Sequence, residues 1–85
     1  MISRIYRIRV DFECGKREYS YDESQEIDQD MMNLISSLGG EEIYSFFGNP
    51  AAGPYVCCEC DDYKKSGNIE KQIRYFLYMH GFIVR

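Results

Sequence analysis

Eighty-five residues, 45% hydrophobic and 28% charged, supply apolar side chains for one core but too little chain for two, so a single domain over 1–85 is expected and extended disorder is excluded. Residues 1–13 alternate apolar and charged side chains, which fits neither a secretion signal nor a membrane span and makes the cytoplasm the expected location. The 14 acids and 10 bases are segregated: Glu18 to Asp62 holds eleven Asp or Glu and no Lys or Arg, with five bases before that window and five after it.

Ile2, Arg4, Tyr6, Ile8, Val10, Phe12 and Cys14 alternate with mostly polar positions, the period-2 pattern of a strand whose even side chains face a core. Gly15-Lys16-Arg17 turns the chain, and Glu18 to Tyr21 either extends a hairpin or, the favoured reading, leads directly into a helix. Asp22, with Gln25 three residues on, predicts a cap and a helix beginning near Glu23. Ile27, Met31, Leu34, Ile35 and Leu38 then form one apolar stripe that Gly39-Gly40 terminates.

Glu41 to Phe47 is short and aromatic and predicts a second strand, followed by a loop over Gly48 to Gly53. Pro54 to Asp62 predicts a third strand with Val56, Cys58 and Cys60 inward, because Glu59 and Asp61 must reach water. Lys64 to Gly67 reads as a polar connection, after which Asn68 caps a helix with Ile69, Ile73, Phe76, Leu77 and His80 inward. Gly81 stops that helix, and Phe82, Ile83 and Val84 form a last strand.

The order strand, helix, strand, strand, helix, strand is the α+β, ferredoxin-like βαββαβ pattern. It implies a four-stranded antiparallel sheet in the order 4-1-3-2 with two helices on one face. The acid-only window then gathers on one half of the molecule and the bases of the second helix on the other.

Cys14, Cys57, Cys58, Cys60 and His80 include the ligand types of a zinc site, but their spacing lacks the paired knuckles such sites use, so no metal and no cofactor is expected. Without an export signal the four cysteines are expected as thiols, Cys58 and Cys60 as core. A thiol enzyme or redox protein using Cys58, Cys60 or His80 is one alternative function, and a homodimer joined through the open sheet face beside Ile5 is another. The glycines match no phosphate-binding fingerprint. Arg7 and Arg9 are expected to pair across strands with Glu59 and Asp61 rather than to hold nucleic acid.

The acid window also carries tyrosines, which are enriched where protein surfaces dock. The leading expectation is therefore a non-enzymatic inhibitor or competitor whose face of Tyr19, Tyr21, Asp22, Glu23, Glu26, Asp30 and Tyr44 meets a basic protein surface, such as one that otherwise holds nucleic acid. Direct binding to nucleic acid or a membrane is not expected. Compact anti-defence inhibitors encoded by phages offer an analogy of size alone.

Overall fold

The structure, a computed structural model, describes residues 4–15, 18–44 and 54–85, with only the backbone of 42–44. Its elements are β1 (Tyr6–Glu13), α1 (Tyr21–Ser37), β2 (Glu41–Tyr44), β3 (Tyr55–Cys60), α2 (Tyr63–Met79) and β4 (Ile83–Val84). The chain is α+β, with two helices on one face of a three-stranded antiparallel sheet, β2-β3-β1. β3 pairs with β1 (Ile8 opposite Cys58, Val10 opposite Val56) and with β2 (Glu41 opposite Glu59). The expected extension of β2 to Phe47 and the loop to Gly53 lie outside the described residues.

The expected fourth strand is reduced to a two-residue ladder on the far edge of β1, where Phe12 faces Val84 and Glu13 faces Ile83. Phe82 is missing from that ladder because α2 uses it: its N–H donates to Leu77 O at 3.0 Å and its ring is buried against Phe12, centroids 5.0 Å apart. Gly81 makes this turn at φ +86°, and its own N–H reaches Tyr78 O. Together these form the paired 6→1 and 5→2 bonds of a helix end closed by a left-handed residue.

Alternation along β1 holds as expected, with Ile8, Val10 and Phe12 buried. Val56, Cys58 and Cys60 continue that layer on β3. Above it lie Ile27, Met31 and Ile35 of α1 and Ile69, Ile73 and Leu77 of α2, spaced one helical turn apart as a single buried stripe requires. Fully burying one such aliphatic side chain contributes about 1.5–3 kcal/mol, so this one cluster supplies most of the stability available to so small a domain.

Both helix starts differ from expectation. α1 begins at Tyr21, and its cap is Ser20, whose Oγ accepts the Glu23 N–H at 3.2 Å while Glu23 Oε1 accepts from Ser20 Oγ at 3.4 Å. This Ser-x-x-Glu arrangement wins over Asp22 with Gln25 because it places Asp22 and Glu23 together in the first turn, against the positive end of the helix. α2 begins five residues before Asn68, capped by Asp62, whose Oδ1 accepts from Lys64 N at 2.7 Å and from Lys65 N at 3.3 Å. The polar run Lys64 to Gly67 is thus helical, its polarity reflecting a solvent-facing first turn.

Replacing Ser20 or Asp62 with Ala is expected to lower unfolding free energy by about 0.5–2 kcal/mol each, as loss of a helix cap does. Asp22→Ala and Asn68→Ala, which remove no cap, are expected to change it by less than about 0.5 kcal/mol. Urea denaturation of the four variants measures the difference.

Candidate binding surface

At 100° per residue Asp22, Glu26 and Asp30 stand one above another on a single flank of α1, with Glu23 beside them, and all four side chains are exposed. Tyr21 is 75% exposed at the start of the same helix, its hydroxyl oxygen accepting from Gln25 Nε2 at 2.7 Å. The structure therefore brings five of the seven expected surface residues onto one helix.

The other two are placed differently. Tyr19 is half-buried: its ring stacks on Phe82 (centroids 5.0 Å apart, planes at 20°) and its hydroxyl donates to His80 O at 3.0 Å. Its aromatic surface is spent joining the lead-in of α1 to the end of α2, so it is a packing residue. Tyr44 lies opposite Cys57 in the β2–β3 ladder, and its side chain is outside the described part of the structure.

The acids of α1 are not equivalent. Asp22 and Glu23 sit in the first turn, where unpaired N–H groups and the helix dipole favour negative charge. Glu26 and Asp30 lie beyond that turn, and each stands four residues from another acid, an arrangement that costs about 0.2–0.5 kcal/mol per pair. Asp22, Glu26 and Asp30 meet no cation among the described residues, whose ion pairs include Arg7–Glu59, Arg9–Asp11, Lys65–Asp61, Arg74–Glu70 and Arg85–Glu13.

On the sheet face away from the helices, Arg7 reaches Glu59 across the ladder at 3.2 Å as expected. Arg9 does not reach Asp61. It faces Cys57 in the register, turns along its own strand to Asp11 at 3.1 Å, and lies over the Tyr55 ring, 4.1 Å from its centroid. The bond to Asp11 raises the Arg9 guanidinium further above its already high value. Tyr55, expected only as one of the tyrosines of the acidic window, is placed by odd-numbered alternation through Cys57 and Glu59 on this face beneath Arg9.

None of the four cysteines is in a disulfide. Cys58 is 0% and Cys60 6% exposed, and the Cys60 thiol donates to Asp62 O at 3.3 Å, inside the turn that starts α2. Cys14 is half-buried, and burial pushes its thiol up. His80 ends α2, half-buried with its ring 4.2 Å from that of Phe76, so it keeps the expected neighbour but lies at the rim, outside the fully buried layer of Ile69 and Ile73. Among the described residues no three His, Cys, Asp or Glu side chains converge as a metal site would require, and no helix is long and apolar enough to cross a membrane.

No protein-family model, curated protein or solved structure matches this chain.

In folded protein Cys58 and Cys60 are expected to resist an aromatic disulfide reagent until the domain unfolds. Cys14 should react with a pH midpoint above that of a free thiol, because its thiolate forms only at higher pH. Rapid reaction of all four at neutral pH contradicts both points. Tyr19→Phe keeps the stacked ring and removes the bond to His80 O, and is expected to cost about 0.5–1.5 kcal/mol in thermal or urea unfolding.

Proposed function

We propose that this chain is a non-enzymatic binding protein that lays the acidic flank of α1, with Tyr21, on a basic surface of another protein. Acting there as an inhibitor or competitor, it would cover a cationic surface such as one that otherwise holds nucleic acid. The observation that carries this reading is the position of Glu26 and Asp30: exposed, past the reach of the helix dipole, next to like charge, and without a cation among the described residues. Charge kept at a small cost to the helix has a use when a partner of opposite sign approaches, because complementary fields raise association rates.

A thiol enzyme would need Cys58 or Cys60 to meet substrate, and burial in the core opposes that. The ferredoxin-like βαββαβ topology, with β4 as its short closing strand, and a cytoplasmic setting belong to the same proposal. The comparison with phage-encoded anti-defence inhibitors remains one of size alone.

The test begins with wild-type protein as bait, followed by stopped-flow measurement with the purified partner. Reversing Glu26 and Asp30 to Lys is expected to slow association ~10-fold or more at low salt, and added salt should slow wild-type association because exposed charges are screened over ~8–10 Å. The matched control is Lys64→Glu with Lys71→Glu, two exposed bases on α2; Arg74 is unsuitable because it donates to Arg85 O at 2.7 Å. A control that abolishes binding while the acidic reversal leaves it intact overturns the proposal.

A further inference from the structure

We propose that the outer edge of β1 is a second binding site, independent of α1, which takes up an extended acidic peptide by strand addition. β1 runs for eight residues, but β4 pairs with only Phe12 and Glu13. Backbone direction alternates along a strand, and two bonds fix its phase: Phe12 N–H donates toward β3, to Pro54 O at 3.3 Å, whereas Asp11 O accepts from Arg85 N on the outer side at 3.1 Å. Arg7 and Arg9, with Ile5 just before the strand, share the phase of Asp11, so their N–H and C=O groups face outward. No strand lies beside them among the described residues.

That edge opens into a groove of about 910 Å³ between residues Ile5 to Arg9 and the first half of α2. Tyr63 stands at its rim, edge-on to the half-buried Tyr6 with centroids 5.8 Å apart. Gly67 lines it from the helix, and a Cβ built there would meet nothing within 4 Å. An unpaired edge beside an open groove is what an incoming strand requires: main-chain bonds supply affinity, and alternate side chains enter the groove, where the Tyr6 and Tyr63 rings offer them apolar surface. A peptide spanning five residues of β1 would be about 17 Å long.

The chemistry of the occupant follows from alternation. Side chains that point into the groove meet Tyr6 and Tyr63 and are apolar. Those on the open sheet face lie opposite Arg7 and Arg9, with Lys64 at the groove and Glu70 as its one acidic lining residue. Arg7 and Arg9 each already hold a carboxylate, Glu59 and Asp11, but a guanidinium carries five N–H donors and accepts a second. A second copy of this chain fits poorly. The two-fold register that overlaps all of Ile5 to Arg9 is centred on Arg7, which sets Arg7 against Arg7, and like charges directly opposite are unfavourable. Alternating acidic and apolar residues answer both faces.

The probe is a blocked heptapeptide, Val-Glu-Val-Glu-Val-Glu-Val, titrated into the full chain to millimolar concentration and followed by amide NMR and hydrogen exchange. The expected result is that the Arg7 and Arg9 amides shift and exchange more slowly, while Tyr6 and Ile8, which face β3, keep their rates. Replacing the glutamates of the peptide with lysines should weaken binding ~10-fold or more. Gly67→Leu, which fills the groove and leaves the strand intact, should do the same, and Arg7→Pro gives a second block by removing one outward N–H. Several outcomes overturn the proposal: no shift at millimolar peptide, equal binding of the lysine peptide, or shifts confined to Asp22, Glu26 and Asp30. Protection of the Arg7 and Arg9 amides without peptide, together with concentration-dependent sedimentation, also overturns it and assigns the edge to a second copy. None of these results bears on the α1 surface, whose charge reversal is scored separately.

Discussion

The constraint on which the rest of the structure depends is the two-residue alternation of β1. Ile8, Val10 and Phe12 fill the centre of the core, and every other layer is built against them. α2 lies over β1, β3 aligns its own alternating set beside it, and Phe82 closes the end against Phe12. A strand cannot place three consecutive even side chains inward without sending Arg7, Arg9 and Asp11 to the opposite face. The charged lattice on the open side of the sheet is therefore the other half of the same pattern that makes the core.

Folding also redistributes the charge that the chain carries in blocks. Along the sequence, eleven of the fourteen acids occupy a stretch that holds no base. In space, β1 and β3 come together, and Arg7 of the basic block finds Glu59 of the acidic one. Asp61 of the acidic block likewise meets Lys65, while Glu13, outside that block, pairs with Arg85. The simple picture of an acidic half facing a basic half is thereby weakened everywhere except on α1, where Asp22, Glu26 and Asp30 meet no cation among the described residues. These exposed pairs contribute little to stability, about 0–1 kcal/mol each, but they decide where field remains uncancelled.

Features set by local periodicity were legible in the sequence: both helices, the inward residues of β1 and β3, and the glycine that ends each helix. What escaped was decided by competition or by distant contact. Ser20 and Asp22 are both good caps, and only the position of Glu23 relative to each separates them. Asp62 and Asn68 compete in the same way, and the glycine at position 67 suggested a break that four earlier helical residues override. Tyr19 read as a surface residue because nothing nearby in sequence reveals that Phe82 and His80, more than sixty residues on, will receive its ring and hydroxyl. The surface on α1 was legible as composition, whereas the open edge of β1 was not, since it depends on how few residues of β4 pair.

The placement of β1 also sets an order of events during synthesis. It leaves the ribosome first among the strands, yet its sheet neighbours are β3 and β4, both from the second half of the chain. Until Tyr55 and the residues after it emerge, Ile8, Val10 and Phe12 have no ladder to join, and α1 has only one apolar stripe to offer them. Non-local pairing of this kind is slow because the loop must close before contacts reward it. An apolar strand is thus made well before its ladder partners, the condition under which partly made chains associate with one another.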